Sequence, residues 1–319
     1  MSEKSRNLKI GIIGVGMVGD PIRRWFEEKR GHKRGIDLFC YDTDPKRGYY
    51  DDYNKADVIF VCVPTPPNPD GSCNTEIVEA VAGKIEPGKI VVIKSTVSPG
   101  TTEKLQKLHP NNRFLFNPEF LTEAQAWEDF LHPVRQIIGW TEVSRNDALT
   151  ILNLLPQGNF QSPWIVSTYV FRNTTATEAE IIKYASNVFG SMKVAYANVV
   201  FDVCHVLKAN GLEIDYDHVR DALGADPRIG PAWIDVDHGS YRGFGGYCFP
   251  KDLRAFIIFS HSICGDKPSV LKKLLTLGID ILESVWYYNN ALLDEQNLSI
   301  EDVSKHNKEL ILKKKNDIE

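Results

Sequence analysis

The chain has 319 residues, 43% hydrophobic and 25% charged, enough for two domains with real cores. Its 37 Lys and Arg against 42 Asp and Glu leave a net charge of −5, which gives no basic footprint for nucleic acid. No apolar run reaches bilayer length, and "MSEKSRNLKIGIIGVG" meets glycine before a signal-peptide core accumulates, so a soluble, cytoplasmic protein is expected.

In chain order, "LKIGIIGVG" reads as an apolar strand ending in glycines, and "DPIRRWFEEKRG" as a helix closed by Gly31. "IDLFCYD" and "ADVIFVCVPTP" are further strands, "NTEIVEAVAGKI" a helix and "KIVVIKSTV" a strand, with weaker strand candidates in "RFLFNPEF", "VRQIIGW" and "WIVSTYV". Alternating strands and helices with near-continuous apolar strands predict an α/β fold, a Rossmann-type parallel sheet with helices on both faces, over residues 1–176.

From Thr177 to Gly211 there is no proline, and apolar residues recur every three or four positions. One long helix of about thirty residues is expected, joining the sheet domain to a mainly α-helical one that runs to residue 295. Such length suits a domain connector or a homodimer interface. Residues 296–319 read as a polar, charged tail.

Gly14, Gly16 and Gly19 form GxGxxG directly between the first strand and the first helix. Glycine there lets the backbone turn tightly and approach a pyrophosphate at the helix N-terminus. Asp42, 23 residues beyond Gly19, closes the second strand where a carboxylate binds ribose hydroxyls, which favours NAD over NADP. Arg47 lies nearby, and Asp20 puts a negative charge in the helix's first turn.

Six cysteines show no CxxC spacing and eight histidines no HxxxH, so no metal is expected. Cys248 differs from the others: in "GFGGYCFPKDL" it sits on a glycine-rich turn with Lys251 and Asp252 close behind, a sequence no core strand would carry. Lys183 and Asn187, i and i+4 on the long helix, can together hold a developing alkoxide.

These segments, with "VCVPTPPNPDG", "IKSTVSPGTT", "NPEFLTEAQAWEDFLHPVR", "KYASN" and "DPRIGP", resemble in collinear order the UDP-glucose and GDP-mannose 6-dehydrogenase family of nucleotide-sugar oxidases. The resemblance implies two NAD-dependent oxidations of a sugar 6-hydroxyl, with UDP-glucose the favoured substrate. The intermediates would be a thiohemiacetal and then a thioester on Cys248.

By the same resemblance, Lys183 and Asn187 contact the reacting oxygen, Asp252 positions water and the lysine, Thr96 holds water, and Glu119 is the base for thioester hydrolysis. Glu119 and Glu123 are expected at i and i+4 of a helix starting after Pro118. Phe120, Leu121, Thr122 and Glu123 would meet the sugar, Tyr241 and Gly245 the substrate loop, and Arg228 a substrate held by the second copy of a homodimer. Met17, Val18, Val63, Pro64, Thr65, Ser95, Thr96, Glu123 and Lys251 would join the glycines, Asp42 and Arg47 around NAD.

Three positions depart from the family pattern: Met17 replaces an aromatic, Asp20 an apolar residue and Val199 a glutamate. Nothing after the helical region resembles the family's third domain, which grips the nucleotide, so weaker substrate affinity is expected unless another chain supplies contacts. Two alternatives remain. A β-hydroxyacid dehydrogenase shares the glycine loop and the Lys/Asn pair but has no use for Cys248; a truncated, inactive relative would bind NAD without turnover.

Overall fold

The structure is a computed structural model that describes residues 8–122, 124–157, 174–237, 240–265 and 270–304. Described residues up to Lys183 form one compact unit, except Pro67–Ser72, which belong with those from Tyr184 onward to a second.

The first unit is built on six strands: β1 (Ile10–Ile13), β2 (Leu38–Tyr41), β3 (Val58–Val61), β4 (Ile90–Ile93), β5 (Arg113–Phe116) and β6 (Gly139–Trp140). Their order is β2-β1-β3-β4-β5-β6, parallel throughout except for the antiparallel β6. The alternation of side chains along each strand explains why the β1, β3 and β4 runs carry no polar side chain. Ile10, Ile12, Val58, Phe60 and Val92 pack on one face with Ile22, Phe26 and Ile151. Ile13, Ile59, Val61, Val91 and Ile93 pack on the other with Val78, Leu105 and Ala179.

Ala179 aside, which belongs to the long helix described next, those covering residues come from α1 (Gly19–Arg24), continued by a π-helical turn at Trp25–Lys29, from α2 (Glu76–Ala82), α3 (Thr101–Leu108) and α5 (Ala148–Leu154), while α4 (Ala126–Leu131) follows β5. The strand expected in "VRQIIGW" is reduced to two residues, and "WIVSTYV" lies outside the described residues.

Helix α6 (Ala176–Ala209) has 34 residues and is about 51 Å long at 1.5 Å per residue. The second unit adds α7 (Tyr216–Ala225), α8 (Phe249–Cys264), α9 (Val270–Asp294) and α10 (Ile300–Val303). Its main core joins Val188 and Val194 of α6 to Phe244, Leu253, Ile257 and Ile279.

Residues 298–303, at the start of the expected polar, charged tail, are partly packed. Leu298, Ile300 and Val303 pack with Tyr241 and Leu293, and Ser299 caps α10 in a reciprocal box with Asp302. Three apolar residues in a short polar stretch are too few to show as a periodic signal, although they suffice to dock one helical turn. Residues 305–319 lie outside the described residues. Among the described residues, no helix is long and apolar enough to cross a membrane.

Candidate functional site

The glycine loop follows β1. A Cβ on Gly14 (φ 87°) would come within 2.5 Å of the Cys62 carbonyl oxygen, and one on Gly19 within 1.9 Å of the Gly14 oxygen, so strand, turn and helix close only with glycine there. A Cβ on Gly16, by contrast, would find only the Arg47 guanidinium at 3.9 Å, which leaves its outer side open to a ligand.

Asp42, at the end of β2, accepts from the Val15 N–H at 2.7 Å, and Arg47 donates to the Val15 carbonyl. Asp20 is paired with Arg23 at 2.8 Å, so its charge in the first turn of α1 is partly balanced. A groove of about 510 Å³ opens beside this loop, lined by Gly16, Met17, Arg47, Tyr49 and Trp127, with Arg24 stacked 3.9 Å over Trp127.

The loops after β3 and β4 are tied together. The Ser95 hydroxyl donates to the Val63 carbonyl at 2.7 Å, and the Thr65 hydroxyl to the Thr96 carbonyl at 2.7 Å. Open glycine, ribose-height carboxylate and laced strand ends fit a dinucleotide.

The helix expected after Pro118 does not form there; α4 begins at Ala126, and Glu123 lies outside the described residues. Tertiary partners override the local signal. Glu119 pairs with the buried Lys94 ammonium at 2.7 Å, and Thr122 gives both its N–H (2.7 Å) and its hydroxyl (2.6 Å) to Asp129. Lys94 also donates to Asn117 at 2.9 Å. Lys183 donates to the Glu119 carbonyl and stands 5.5 Å over the Phe120 ring, while Arg135 lies over that ring at 4.2 Å. Leu121 packs against the core. Glu119, Phe120 and Lys183 are thus brought together, with Lys94 added.

Lys94 was not foreseen, although a lysine closing an otherwise apolar strand is itself a signal, since lysine is rarely buried without a partner. Glu180 was not foreseen either. It is fully buried and accepts from the Gly100 N–H (2.6 Å), the Thr102 N–H (2.8 Å) and the Thr102 hydroxyl (2.6 Å), which caps α3. Burial pushes its carboxyl from 4.5 up to about 7, against the pull of those bonds.

An acid raised in the folded state favours folding on acidification, so this contribution is complete below the unfolded value and is lost as pH rises through about 7. The parent's stability relative to Glu180→Gln should therefore fall by about 3 kcal/mol between pH 4.5 and 7. Urea midpoints of both proteins across that range test this; a constant difference would refute it.

In the second unit, Cys248 precedes α8, whose first turn carries Pro250 and Asp252. Asp252 is 1% exposed and accepts from the Asn187 amide and the Lys251 ammonium, each at 2.6 Å, while its N–H donates to the Cys248 carbonyl at 2.9 Å. Cys248, Asn187, Lys251 and Asp252 thus form one cluster, in which Lys251, expected at the cofactor, turns to Asp252. Tyr241 is buried with Leu293 and Val303, and Gly245 packs against Tyr241 and Val303. Arg228 is 87% exposed and pairs with Asp226 at 2.6 Å.

Comparison with known proteins gives a consistent family. Residues 43–153 match the NAD binding domain of the UDP-glucose/GDP-mannose dehydrogenase family, and residues 177–275 match its central domain. A Bacillus subtilis protein provisionally named a UDP-glucose 6-dehydrogenase is 35% identical over 289 residues, covering 78% of this chain and 62% of the relative. The Rickettsia typhi UDP-glucose 6-dehydrogenase is 33% identical, covering 65% of this chain and 46% of the relative. The structure of a UDP-glucose dehydrogenase from Pyrobaculum islandicum superposes with a TM-score of 0.68 at 28% identity, covering 93% of this chain and 72% of that one. The chain spans about half the length of the curated relatives it matches.

Proposed function

Since the chain belongs to the UDP-glucose/GDP-mannose dehydrogenase family, we propose that it oxidises the 6-hydroxyl of a nucleotide sugar, UDP-glucose by preference, to the acid in two steps. The observation that carries this reading is the cluster on α8, a thiol one turn from a buried aspartate that holds an amide and an ammonium.

The glycine loop, Asp42 and the strand-end loops hold NAD, which supplies the acceptor for the two electrons removed at each oxidation. Lys183 and Asn187 steady the alkoxide as the alcohol gives up its proton to the water that Asp252 is expected to position. The Cys248 thiolate adds to the aldehyde carbon, forming a C–S bond and an alkoxide that is protonated to the thiohemiacetal. The second oxidation leaves a thioester. Water then attacks the acyl carbon, Glu119 takes its proton, the C–S bond breaks, and the thiolate returns. One water and two NAD are consumed for each sugar.

The Lys94 ammonium, 2.7 Å from Glu119, fixes the position of the carboxylate proposed as the base. Titrating UDP-glucose in excess NAD tests the reading: two NADH per sugar with uronic acid as product supports it. Turnover only on small hydroxy acids, or NAD binding without turnover, overturns it.

The active form is proposed to be a homodimer. On α6, Phe189, Tyr196, Val199, Val203 and Val206 are all exposed, at spacings of 7, 3, 4 and 3 that place them along one seam. Val203→Glu should raise the dimer dissociation constant on the order of a hundredfold, because like charges set against each other at an interface cost several kcal/mol. Sedimentation equilibrium measures this, and an unchanged constant would place the interface elsewhere.

A further inference from the structure

We propose that Asn289 and Gln296 are positioning residues for the Cys248 thiol, holding the segment that leads to it as a neighbouring β-strand would. The inference rests on the reading of Cys248 as nucleophile.

Arg242, Phe244 and Gly246 are alternate residues on the approach to Cys248. Asn289 of α9 accepts from the Phe244 N–H at 2.6 Å and donates to the Phe244 carbonyl at 3.1 Å. Gln296, just past α9, accepts from the Arg242 N–H at 2.7 Å and donates to the Arg242 carbonyl at 3.0 Å. The Gly246 N–H donates to the Val303 carbonyl at 2.8 Å.

A primary amide offers a donor and an acceptor side by side, so each of these side chains completes the two-bond exchange of a hydrogen-bonded antiparallel pair. Asn289 is fully buried and Phe244 is 2% exposed, so without this amide a peptide group in the core would lose both partners. The approach is close. Gly243 has φ 102°, and a Cβ there would lie 2.7 Å from the Asn289 amide oxygen.

Only Tyr247 separates this clamped stretch from Cys248, whose own carbonyl is held from the far side by the Asp252 N–H. The thiol is therefore fixed at the start of α8 from both directions. Through Leu298, Ile300 and Val303, the segment after α9 seats the same loop against Tyr241.

Iodoacetamide labelling of Cys248, read by mass of its peptide across pH 6–9, together with amide hydrogen exchange, tests this on the full chain. In Asn289→Ala and in Gln296→Ala, exchange at Phe244 and Arg242 respectively should accelerate about tenfold, the scale of one or two lost hydrogen bonds, while amides within α8 keep the parent's rates. The Cys248 labelling rate should shift at least about threefold and its pH profile should move, with Asn289→Asp, which keeps only the acceptor, falling between parent and Ala.

Gln296 is only partly buried, so Gln296→Ala carries the test should Asn289→Ala fail to fold. Parent-like exchange in the loop, or faster exchange with unchanged Cys248 labelling, would overturn the proposal. Labelling needs no turnover, so a parent chain that does not oxidise UDP-glucose would refute the proposed function and leave this result readable.

Discussion

Cys248→Ser is expected to lower uronic acid formation to less than about one-thousandth of the parent rate, while NAD binding is retained. A serine hydroxyl keeps the size of the group but stays protonated near neutral pH, so it does not add to the aldehyde as a thiolate does. Two of the remaining cysteines, Cys40 and Cys62, are poorly suited to substitute for it. Burial pushes the Cys40 and Cys62 thiols up to about 12, which leaves almost no thiolate at neutral pH. Cys248 instead stands at the N-terminal end of a 16-residue helix, where the dipole favours an anion. The measurement is NADH and acid formed per UDP-glucose. Acid production at the parent rate by the serine variant would remove the thioester route altogether.

How far the sequence reveals this arrangement depends on how far apart the partners lie along it. The β1–β4 runs are legible because a strand covered on both faces has to be apolar at every position, as Ile10, Ile12, Val58 and Phe60 on one side and Ile13, Ile59 and Val61 on the other demonstrate. GxGxxG is legible because its turn demands small residues at fixed steps, and the 1.9 Å approach at Gly19 gives the reason. The segment after Pro118 misleads. Its local signal is a helix start, yet Glu119 is drawn to Lys94 and Thr122 to Asp129. Glu180 and Asn289 look like ordinary helix positions, since the groups they satisfy lie 78 and 45 residues away in the chain. A buried polar residue has no periodicity of its own, and only its partners reveal it.

The second large effect belongs to Asp252. Asp252→Ala removes a carboxylate that is 1% exposed and that faces the Lys251 ammonium and the Asn187 amide at 2.6 Å each. It should lower stability by about 3–5 kcal/mol, because a desolvated cation loses the charge that compensates it. Activity should fall as well, since Asn187 loses the acceptor that orients it. The two losses are separable. Adding Lys251→Met to Asp252→Ala removes the cation too, and replacing both ends of a buried ion pair by apolar groups is often close to neutral. The double variant should therefore regain much of the urea midpoint while turnover stays low, because no carboxylate is restored to Asn187. If it proved as unstable as Asp252→Ala alone, the energy would reside in the Asn187 bond, and Lys251 would be a bystander of the cluster.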